Sequence, residues 1–168
     1  VAWALSGQGM LGERFFEFNH PDGSEAIFPP LLDSVLIGNI PDACGRLLGY
    51  IKGDKIRTVE FLEIIQPLPA TKQPMARDYL LMAYLLDRRL DDFVQLLGVG
   101  DSVPTYLPRA YAEALTLYEA RHPDVTFDYL SPAMRQSFAA FEEQKRSTKE
   151  PYALYSLFGT SYWYYFFR

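Results

Sequence analysis

Residues 79–98 read YLLMAYLLDRRLDDFVQLLG, and this stretch decides the fold class. Its first part places apolar side chains along one face of a helix, at Tyr79, Leu80, Ala83 and Leu86. A polar turn follows, and a second apolar stripe then leads to a glycine, through Leu90, Phe93, Val94, Leu97 and Gly98. The stretch therefore predicts two helices that fold back on each other as a helical hairpin.

The chain on either side of this hairpin repeats the pattern of short apolar helices separated by glycine and proline. Strand-like alternation is scarce, apart from a short stretch at residues 126–130. A serine before a proline, Ser131-Pro132, is a typical helix start. Further helices are expected at residues 1–6, 10–18, 41–51, 55–65, 107–121 and from 132 onward, with a loop at 19–30.

The hairpin is similar to a degenerate tetratricopeptide repeat (TPR), a unit of two packed helices. Tyr84 fits the tyrosine position of that repeat and Leu97 a later apolar position, whereas Arg88 stands where glycine is usual. Such repeats bury their inner faces only against neighbouring repeats. We therefore predict an all-α fold, in which residues 1–168 form a single domain of antiparallel helical hairpins stacked as a TPR-like α-α superhelix.

The last 17 residues, 152–168, contain nine aromatic side chains. Each ring buries on the order of 150–250 Å² when it packs, so this segment must dock on another surface. We predict an aromatic C-terminal helix that closes the last repeat, with a stripe formed by Tyr155, Phe158, Tyr162 and Tyr165. Two alternatives remain open: a docking groove for a partner, or a membrane-interface anchor of the kind that Trp and Tyr favour.

Composition restricts the classes of function. The 168 residues carry a formal charge of -5, with 16 basic residues scattered among 21 acidic ones, so a nucleic-acid partner is not expected. The single cysteine, Cys44, permits neither an internal disulfide nor a multi-thiolate metal site. No run reaches the roughly 18–20 apolar residues that a membrane helix needs. The chain begins Val1-Ala2-Trp3, and we interpret it as a soluble piece of a longer protein.

Two motifs resemble functional signatures but have simpler explanations. Residues 7–12 read GQGMLG, a G-x-G-x-x-G pattern that binds pyrophosphate only between a buried strand and a long helix. Here the following helix is short, and a helix corner explains the glycines. The J-domain tripeptide His-Pro-Asp occurs at 20–22 and 122–124 without a basic helix before it, so helix termination before proline explains both copies. No catalytic residue, cofactor or metal ligand is predicted.

Two segments carry a resemblance to a known family: Ala4-Leu5 with Gly9-Met10-Leu11-Gly12-Glu13-Arg14-Phe15-Phe16, and the ending Gly159-Thr160-Ser161-Tyr162-Trp163-Tyr164-Tyr165. With Ala76-Arg77-Asp78-Tyr79-Leu80-Leu81, they resemble the C-terminal region of an uncharacterised family of large bacteroidete membrane proteins. That family has an N-terminal multi-spanning part followed by a TPR-like helical region. The resemblance implies that this chain follows membrane helices in a membrane-associated protein, and it implies no mechanism because the family has no known function.

These observations predict a non-enzymatic helical-repeat module that binds another protein or a peptide through a concave face. Tyr and Arg side chains contribute strongly to protein interfaces, and the candidate residues are Tyr84, Arg88, Arg109, Tyr111 and Tyr118. Two alternative functions stay open. The chain could be an accessory domain of a membrane enzyme or transporter, or a small-ligand binder with an aromatic pocket around Trp3, Tyr162 and Trp163.

Overall fold

The computed structural model describes residues 5, 8–18, 23–27, 57–67, 73–98, 106–148 and 150–168. Within them every regular element is helical, so the predicted all-α fold is confirmed. The α-helices are α1 (Leu11–Arg14), α2 (Thr58–Ile65), α3 (Gln73–Leu86), α4 (Leu90–Leu97), α5 (Arg109–Arg121), α6 (Pro132–Ser147), α7 (Pro151–Phe158) and α8 (Tyr162–Phe167). Two 3-10 turns, Phe15–Glu17 and Gly23–Ile27, precede α2. The helix predicted at residues 41–51 lies outside the described residues, as does Cys44.

Two central helices, α3 and α5, contribute much of the core. Every residue of α3 from Leu80 to Leu86 is buried, and so is every residue of α5 from Ala110 to Leu117. A helix that is buried on all sides must be surrounded by other elements. Accordingly, α3 contacts α1, α2, α4 and the second 3-10 turn, while α5 contacts α1, α4, α6 and α8. The short helix α1 therefore bridges the two central helices.

Successive helices from α2 to α8 each contact the next one along the chain. The last helix, α8, also returns to α5. In addition, the ring of Phe16 lies 5.1 Å from the rings of both Tyr162 and Tyr165, so the first 3-10 turn meets the C-terminal helix. The helices therefore form a continuous series of neighbours that is closed by aromatic packing at the C-terminal end.

The predicted hairpin at residues 79–98 forms, with α3 and α4 joined by a three-residue turn. The Arg88 N–H donates to the Leu85 carbonyl at 3.1 Å, and the next N–H, of Arg89, donates to the Tyr84 carbonyl at 2.8 Å. This is the Schellman pattern, which needs a left-handed residue that is usually glycine. Arg88 adopts that conformation with a φ of 58°. Left-handed geometry costs a non-glycine residue about 1–2 kcal/mol, so this arginine is held against its local preference.

Helix α6 begins where the sequence predicts. The Ser131 hydroxyl accepts a hydrogen bond from the Met134 N–H at 3.2 Å, and Pro132 occupies the first helical position. Both devices involve only neighbouring residues. The start of this helix can therefore be read from the sequence alone.

The aromatic C-terminal segment differs from the single helix that the stripe predicts. It forms two helices, α7 and α8, which are separated at residues 159–161. The Ser161 hydroxyl caps α8 by accepting a hydrogen bond from the Tyr164 N–H at 3.2 Å. A serine that bonds the backbone in this way competes with continuation of a preceding helix. The predicted stripe is consequently interrupted between Phe158 and Tyr162.

Three helices begin against a glutamate from a distant part of the chain. Each carboxylate accepts a hydrogen bond from the first N–H of its helix, in the pairs Glu25 with Thr58 of α2 (2.9 Å), Glu13 with Arg109 of α5 (3.0 Å) and Glu113 with Tyr162 of α8 (2.6 Å). A carboxylate at this position satisfies an unpaired amide and interacts favourably with the helix dipole. Tertiary contacts therefore contribute to these three helix starts.

The loop between α5 and α6 is held by one arginine. Arg135 makes a two-pronged ion pair with Glu119, with N–O distances of 2.9 and 2.8 Å. It also donates to the carbonyls of Phe127 and Leu130. Burial by itself raises the pKa of Glu119, but hydrogen bonds from Arg135 and from the Phe127 N–H outweigh burial, and the pKa is lowered. The ionised pair therefore stabilises the loop.

Candidate interaction surfaces

The aromatic helix α8 belongs to the core. Tyr162, Trp163 and Tyr165 are all buried, and none is more than 9% exposed. The Trp163 ring packs against two rings of α6, at centroid distances of 5.2 Å from Phe138 and 6.0 Å from Phe141. The prediction that an aromatic helix closes the fold is therefore confirmed for α8. Rings packed in this way are not presented to a partner or a membrane.

A buried glutamate fixes α8 to α5. Glu113 is 3% exposed, and its carboxylate accepts hydrogen bonds from the Tyr162 N–H at 2.6 Å and from Arg109 Nε at 2.9 Å. Its backbone carbonyl accepts a third, from the indole N–H of Trp163 at 2.7 Å. Burial raises the pKa of Glu113, and the bonds from Tyr162 and Arg109 offset this only in part. Glu113 cannot be recognised as a core residue from the sequence, because a single glutamate among alanines carries no pattern.

Two of the predicted interaction residues are buried. Tyr84 and Tyr111 are 7% and 5% exposed, so the expectation that their rings are presented on an open face is wrong. The Tyr84 hydroxyl donates to Glu63 at 2.9 Å, and the Tyr111 ring packs edge-on against Phe93 at 5.3 Å. Both rings are buried because α3 and α5 lie at the centre of the fold, where other elements cover every side of each helix.

The other three predicted residues are more accessible but do not share one surface. Arg109 begins α5 and Tyr118 lies near its end, which separates them by roughly 13 Å along the helix axis. The Tyr118 ring stacks on His122 at a centroid distance of 4.1 Å. Arg88 lies in the turn between α3 and α4, where its guanidinium donates to the Tyr165 carbonyl at 3.3 Å. A role of these residues in partner binding stays a prediction.

An exposed apolar surface lies on α7, where the sequence predicted only a continuation of the aromatic helix. Tyr152, Tyr155 and Leu157 are 79%, 56% and 64% exposed. Only one side of α7, with Leu154 and Phe158, packs against the core. Exposed apolar patches often mark interaction sites. Tyr152, Tyr155 and Leu157 are named the α7 surface below.

A groove with a volume of about 300 Å³ lies beside the α7 surface, between α6, α7 and α8. The Tyr155 ring meets the groove residue Tyr164 edge-on at 5.6 Å, which makes the two features continuous. The groove lining combines apolar side chains with two basic residues and one acidic residue, among them Leu154, Tyr164, Phe167, Lys145, Arg168 and Glu150. The lining side chains therefore carry a net positive charge.

The described part of the glycine motif, residues 8–12, forms a helix corner, as expected. Gly9 adopts a left-handed φ of 68° in the turn before α1. A Cβ atom at Gly12 would lie 2.6 Å from the Cβ of Pro108, so this glycine permits the close approach of α1 to α5. Helix α1 has only four residues, far fewer than the long helix of a pyrophosphate site. Gly7 lies outside the described residues.

The second His-Pro-Asp tripeptide ends a helix. The His122 N–H donates to the Tyr118 carbonyl at 3.0 Å, at the C-terminus of α5. Pro123 follows where the helix has stopped, which agrees with the simpler explanation of the motif. The first copy, at 20–22, lies outside the described residues.

The described part of the chain also bears on metal binding and on membrane crossing. No group of three or more His, Cys, Asp or Glu side chains there could hold a metal ion. No helix there combines the length and the apolar character needed to cross a bilayer.

The fold and the surfaces define an all-α protein with an aromatic C-terminal core. A family model matches residues 63–168, and the chain therefore belongs to DUF6057, a family of unknown function. The expectation of an uncharacterised family is confirmed. No curated protein and no solved structure matches the chain significantly.

Proposed function

We propose that the chain is a non-enzymatic helical module that binds a partner protein through the α7 surface. The observation that carries this proposal is the exposure of Tyr152, Tyr155 and Leu157 on a helix without a charged residue. The adjoining groove supplies Lys145 and Arg168. The partner segment is accordingly one with apolar side chains flanked by acidic ones, because it must match both the apolar patch and the positive rim.

The way in which the carboxylates are used supports a non-enzymatic role. Glu13, Glu25 and Glu113 each hold the first N–H of a helix, and Glu119 pairs with Arg135. Catalytic acids and bases normally face a cleft where a substrate can reach them. These four groups instead hold elements of the fold together.

Two finer features of the proposal come from the sequence. The TPR-like character rests on the degenerate repeat around Tyr84 and Leu97, together with the series of neighbouring helices. Attachment to a membrane-embedded N-terminal part, in a bacterial protein, rests on the family resemblance described above. Under this proposal the module is the C-terminal part of a membrane protein and presents the α7 surface to its partner.

Site-specific photo-crosslinking identifies the partner. The photoreactive p-benzoylphenylalanine is placed at Tyr152 and at Tyr155 of the full-length protein in cells, since positions three apart share one helix face, with Glu142, an exposed residue of α6, as the control position. The expected result is one crosslinked protein that is shared by positions 152 and 155 and missing at 142. Crosslinks that join two copies of the chain, or only lipid, would contradict the proposal.

Binding of the purified partner then tests the surface itself. The double variant Tyr152→Ser/Tyr155→Ser should bind about tenfold more weakly or worse, since exposed tyrosines dominate interfaces of this kind. The matched control is Phe18→Ser, which removes another exposed aromatic ring (42% exposed) outside the α7 surface. Added salt should weaken binding because of the positive rim. Equal binding by the double variant and the unmodified protein would overturn the proposal.

A small-ligand function is the second candidate, at a different place from the predicted pocket. Tyr162 and Trp163 are packed in the core, and Trp3 lies outside the described residues. A separate cavity of about 420 Å³ is bordered by Arg77, Asp78, Tyr106, Tyr111 and Tyr129. The buried Tyr129 hydroxyl has no hydrogen-bond partner among the described residues. A metabolite that raises the melting temperature of the unmodified protein but not of Tyr129→Phe would support this candidate, and no shift across a metabolite panel would count against it.

A further inference from the structure

A second cavity, of about 470 Å³, is lined by arginines from separate parts of the chain. Arg88 and Arg89 come from the turn between α3 and α4, Arg57 precedes α2, and Arg168 follows α8. One acidic residue, Asp87, shares the lining. We name this feature the arginine cavity. It concentrates positive charge in a protein whose formal net charge is -5.

Arg88 is placed in this cavity at a local energetic cost. It occupies the left-handed position of the Schellman turn, where glycine would be unstrained. Its guanidinium lies 5.5 Å from the centre of the Tyr165 ring and donates one hydrogen bond to the Tyr165 carbonyl. Strained non-glycine residues are concentrated at functional sites. The geometry therefore points to the Arg88 side chain, and not to its backbone, as the reason for an arginine here.

The carboxylates near the cavity are directed to other groups. Asp87 accepts hydrogen bonds from both the N–H and the hydroxyl of Ser24, each at 2.9 Å. Arg89 pairs with Glu63 at 3.0 Å and with Asp92 at 2.7 Å, so its charge is largely compensated.

Arg88 differs from Arg89 in having no carboxylate partner, and Arg57 differs in that its pair is exposed. Among the described residues, no carboxylate lies within 4.0 Å of the Arg88 guanidinium, whereas six other arginines make such pairs with distances of 3.3 Å or less, as Arg57 does with Glu60. The Arg57 pair is exposed on both sides, with 66% and 47% of the side chains accessible, and such pairs are weak. Arg88 and Arg57 therefore retain donors for a ligand.

We propose that the arginine cavity binds the phosphate group of a small phosphorylated molecule. Guanidinium groups that approach from several sides suit a tetrahedral dianion, whose oxygens accept from more than one arginine, whereas a carboxylate is satisfied by a single guanidinium. The volume lies in the range of small-molecule sites, about 300–1,000 Å³, so the ligand extends beyond the phosphate itself. The site is separate from the α7 surface, and its test does not depend on the proposed partner.

The test uses inorganic phosphate and pyrophosphate as probes of the 168-residue chain. Melting temperature and calorimetric titration are measured against sodium chloride at the same ionic strength. Both probes should stabilise the protein, pyrophosphate more strongly. Arg88→Gly should keep the fold, since glycine suits the turn, while affinity falls about ten- to hundredfold through loss of a charge-assisted contact. Arg57→Gln should weaken binding in the same direction.

Arg146→Gln is the matched control, because it removes an exposed arginine of α6 that is paired with Glu143 outside the cavity. It should leave affinity unchanged. A stabilisation that sodium chloride reproduces, or an equal loss in Arg146→Gln and Arg88→Gly, would overturn the proposal. So would undiminished binding by Arg88→Gly.

A further experiment tests whether the ligand is a soluble phosphate compound or a lipid headgroup. Vesicles of phosphatidylcholine with and without phosphatidic acid are compared in flotation assays. Flotation that needs phosphatidic acid and is lost in Arg88→Gly would assign the site to a lipid headgroup. Pyrophosphate binding without flotation would assign it to a soluble phosphorylated molecule. Binding to neither probe would refute the site.

Discussion

At the scale of single residues, Glu113 joins two parts of the chain that are far apart in sequence. It binds the first N–H of α8, the Trp163 indole and the Arg109 side chain. The sequence shows a glutamate within an alanine-rich helix, which is typical of an exposed position. Only the docking of α8 buries it, so its importance could not be predicted from local pattern.

The raised pKa of Glu113 predicts a pH dependence of stability. The native state keeps the Glu113 proton to a higher pH than the unfolded chain, where the glutamate ionises near its ordinary value of 4.5. The contribution of this group to stability is therefore present at low pH and is lost as pH rises through the raised pKa. The unmodified protein should lose stability relative to Glu113→Gln as pH increases from about 4.5.

Urea denaturation of both proteins from acidic to neutral pH measures this difference. The comparison between the two is needed because the pKa of Glu119 is shifted in the opposite direction, and that group loses its stabilising contribution on acidification. The two free energies of unfolding could instead differ by the same amount at every pH, or the unmodified protein could gain stability over Glu113→Gln as pH rises. Either result would show that ionisation of Glu113 does not destabilise the native state.

At the scale of helices and turns, the sequence predicts the features that neighbouring residues determine, and it does not predict those that depend on tertiary packing. The hairpin at residues 79–98 and the start of α6 at Ser131 are set by neighbouring residues, and both were predicted. The interruption at Ser161 was missed because the aromatic period continues across it. The α7 surface was missed for the same reason, since a single continuous helix was expected to be buried.

The Ser131 cap predicts a measurable loss on substitution. Ser131→Ala removes the acceptor for the Met134 N–H and should cost about 1 kcal/mol in free energy of unfolding. Ser147→Ala, at the exposed end of the same helix, should change stability by less than about 0.5 kcal/mol. Chemical denaturation compares the three proteins. Equal stability of all three would mean that Pro132 alone starts α6.

The contact between α1 and α5 gives a second prediction at this scale. Gly12→Ala would place a Cβ atom 2.6 Å from the Pro108 Cβ, so we expect a loss of about 1–3 kcal/mol from overpacking. Gly9→Ala is a control in which any loss of stability has a different cause. Its added Cβ would meet no atom within 4 Å, but the φ of Gly9 is +68°. It should cost about 1 kcal/mol in backbone strain. A neutral Gly12→Ala would show that α1 does not pack closely on α5.

At the scale of the whole molecule, the all-α class followed from helical periodicity, but the depth of burial did not. A stripe on one face predicts that the opposite face of a helix is exposed. Residues 80–86 and 110–117 are nonetheless covered on every side, because α1 and α8 add layers that local pattern does not reveal. A one-sided stripe therefore predicts an open surface for Tyr84 and Tyr111, whereas the structure buries both.

Fluorescence of Trp163 tests the closed C-terminal core. In a Trp3→Phe background, Trp163 is the remaining tryptophan. Its indole is 2% exposed, so native emission should lie at short wavelength and shift to long wavelength in denaturant. Phosphatidylcholine vesicles should leave the native spectrum unchanged. Long-wavelength emission from the native protein would contradict the packing of α8 described here.

The contacts that Glu13 and Phe16 make with later helices have a practical consequence for the choice of a fragment to express. The family match starts at residue 63, inside α2, which runs from Thr58 to Ile65. A fragment expressed from that boundary would lack Glu13 and the aromatic pair Phe15 and Phe16, which are 0% and 5% exposed in the intact fold. The family match is thus shorter than the packed structure, and expression plasmids designed on that match would remove buried parts of the core.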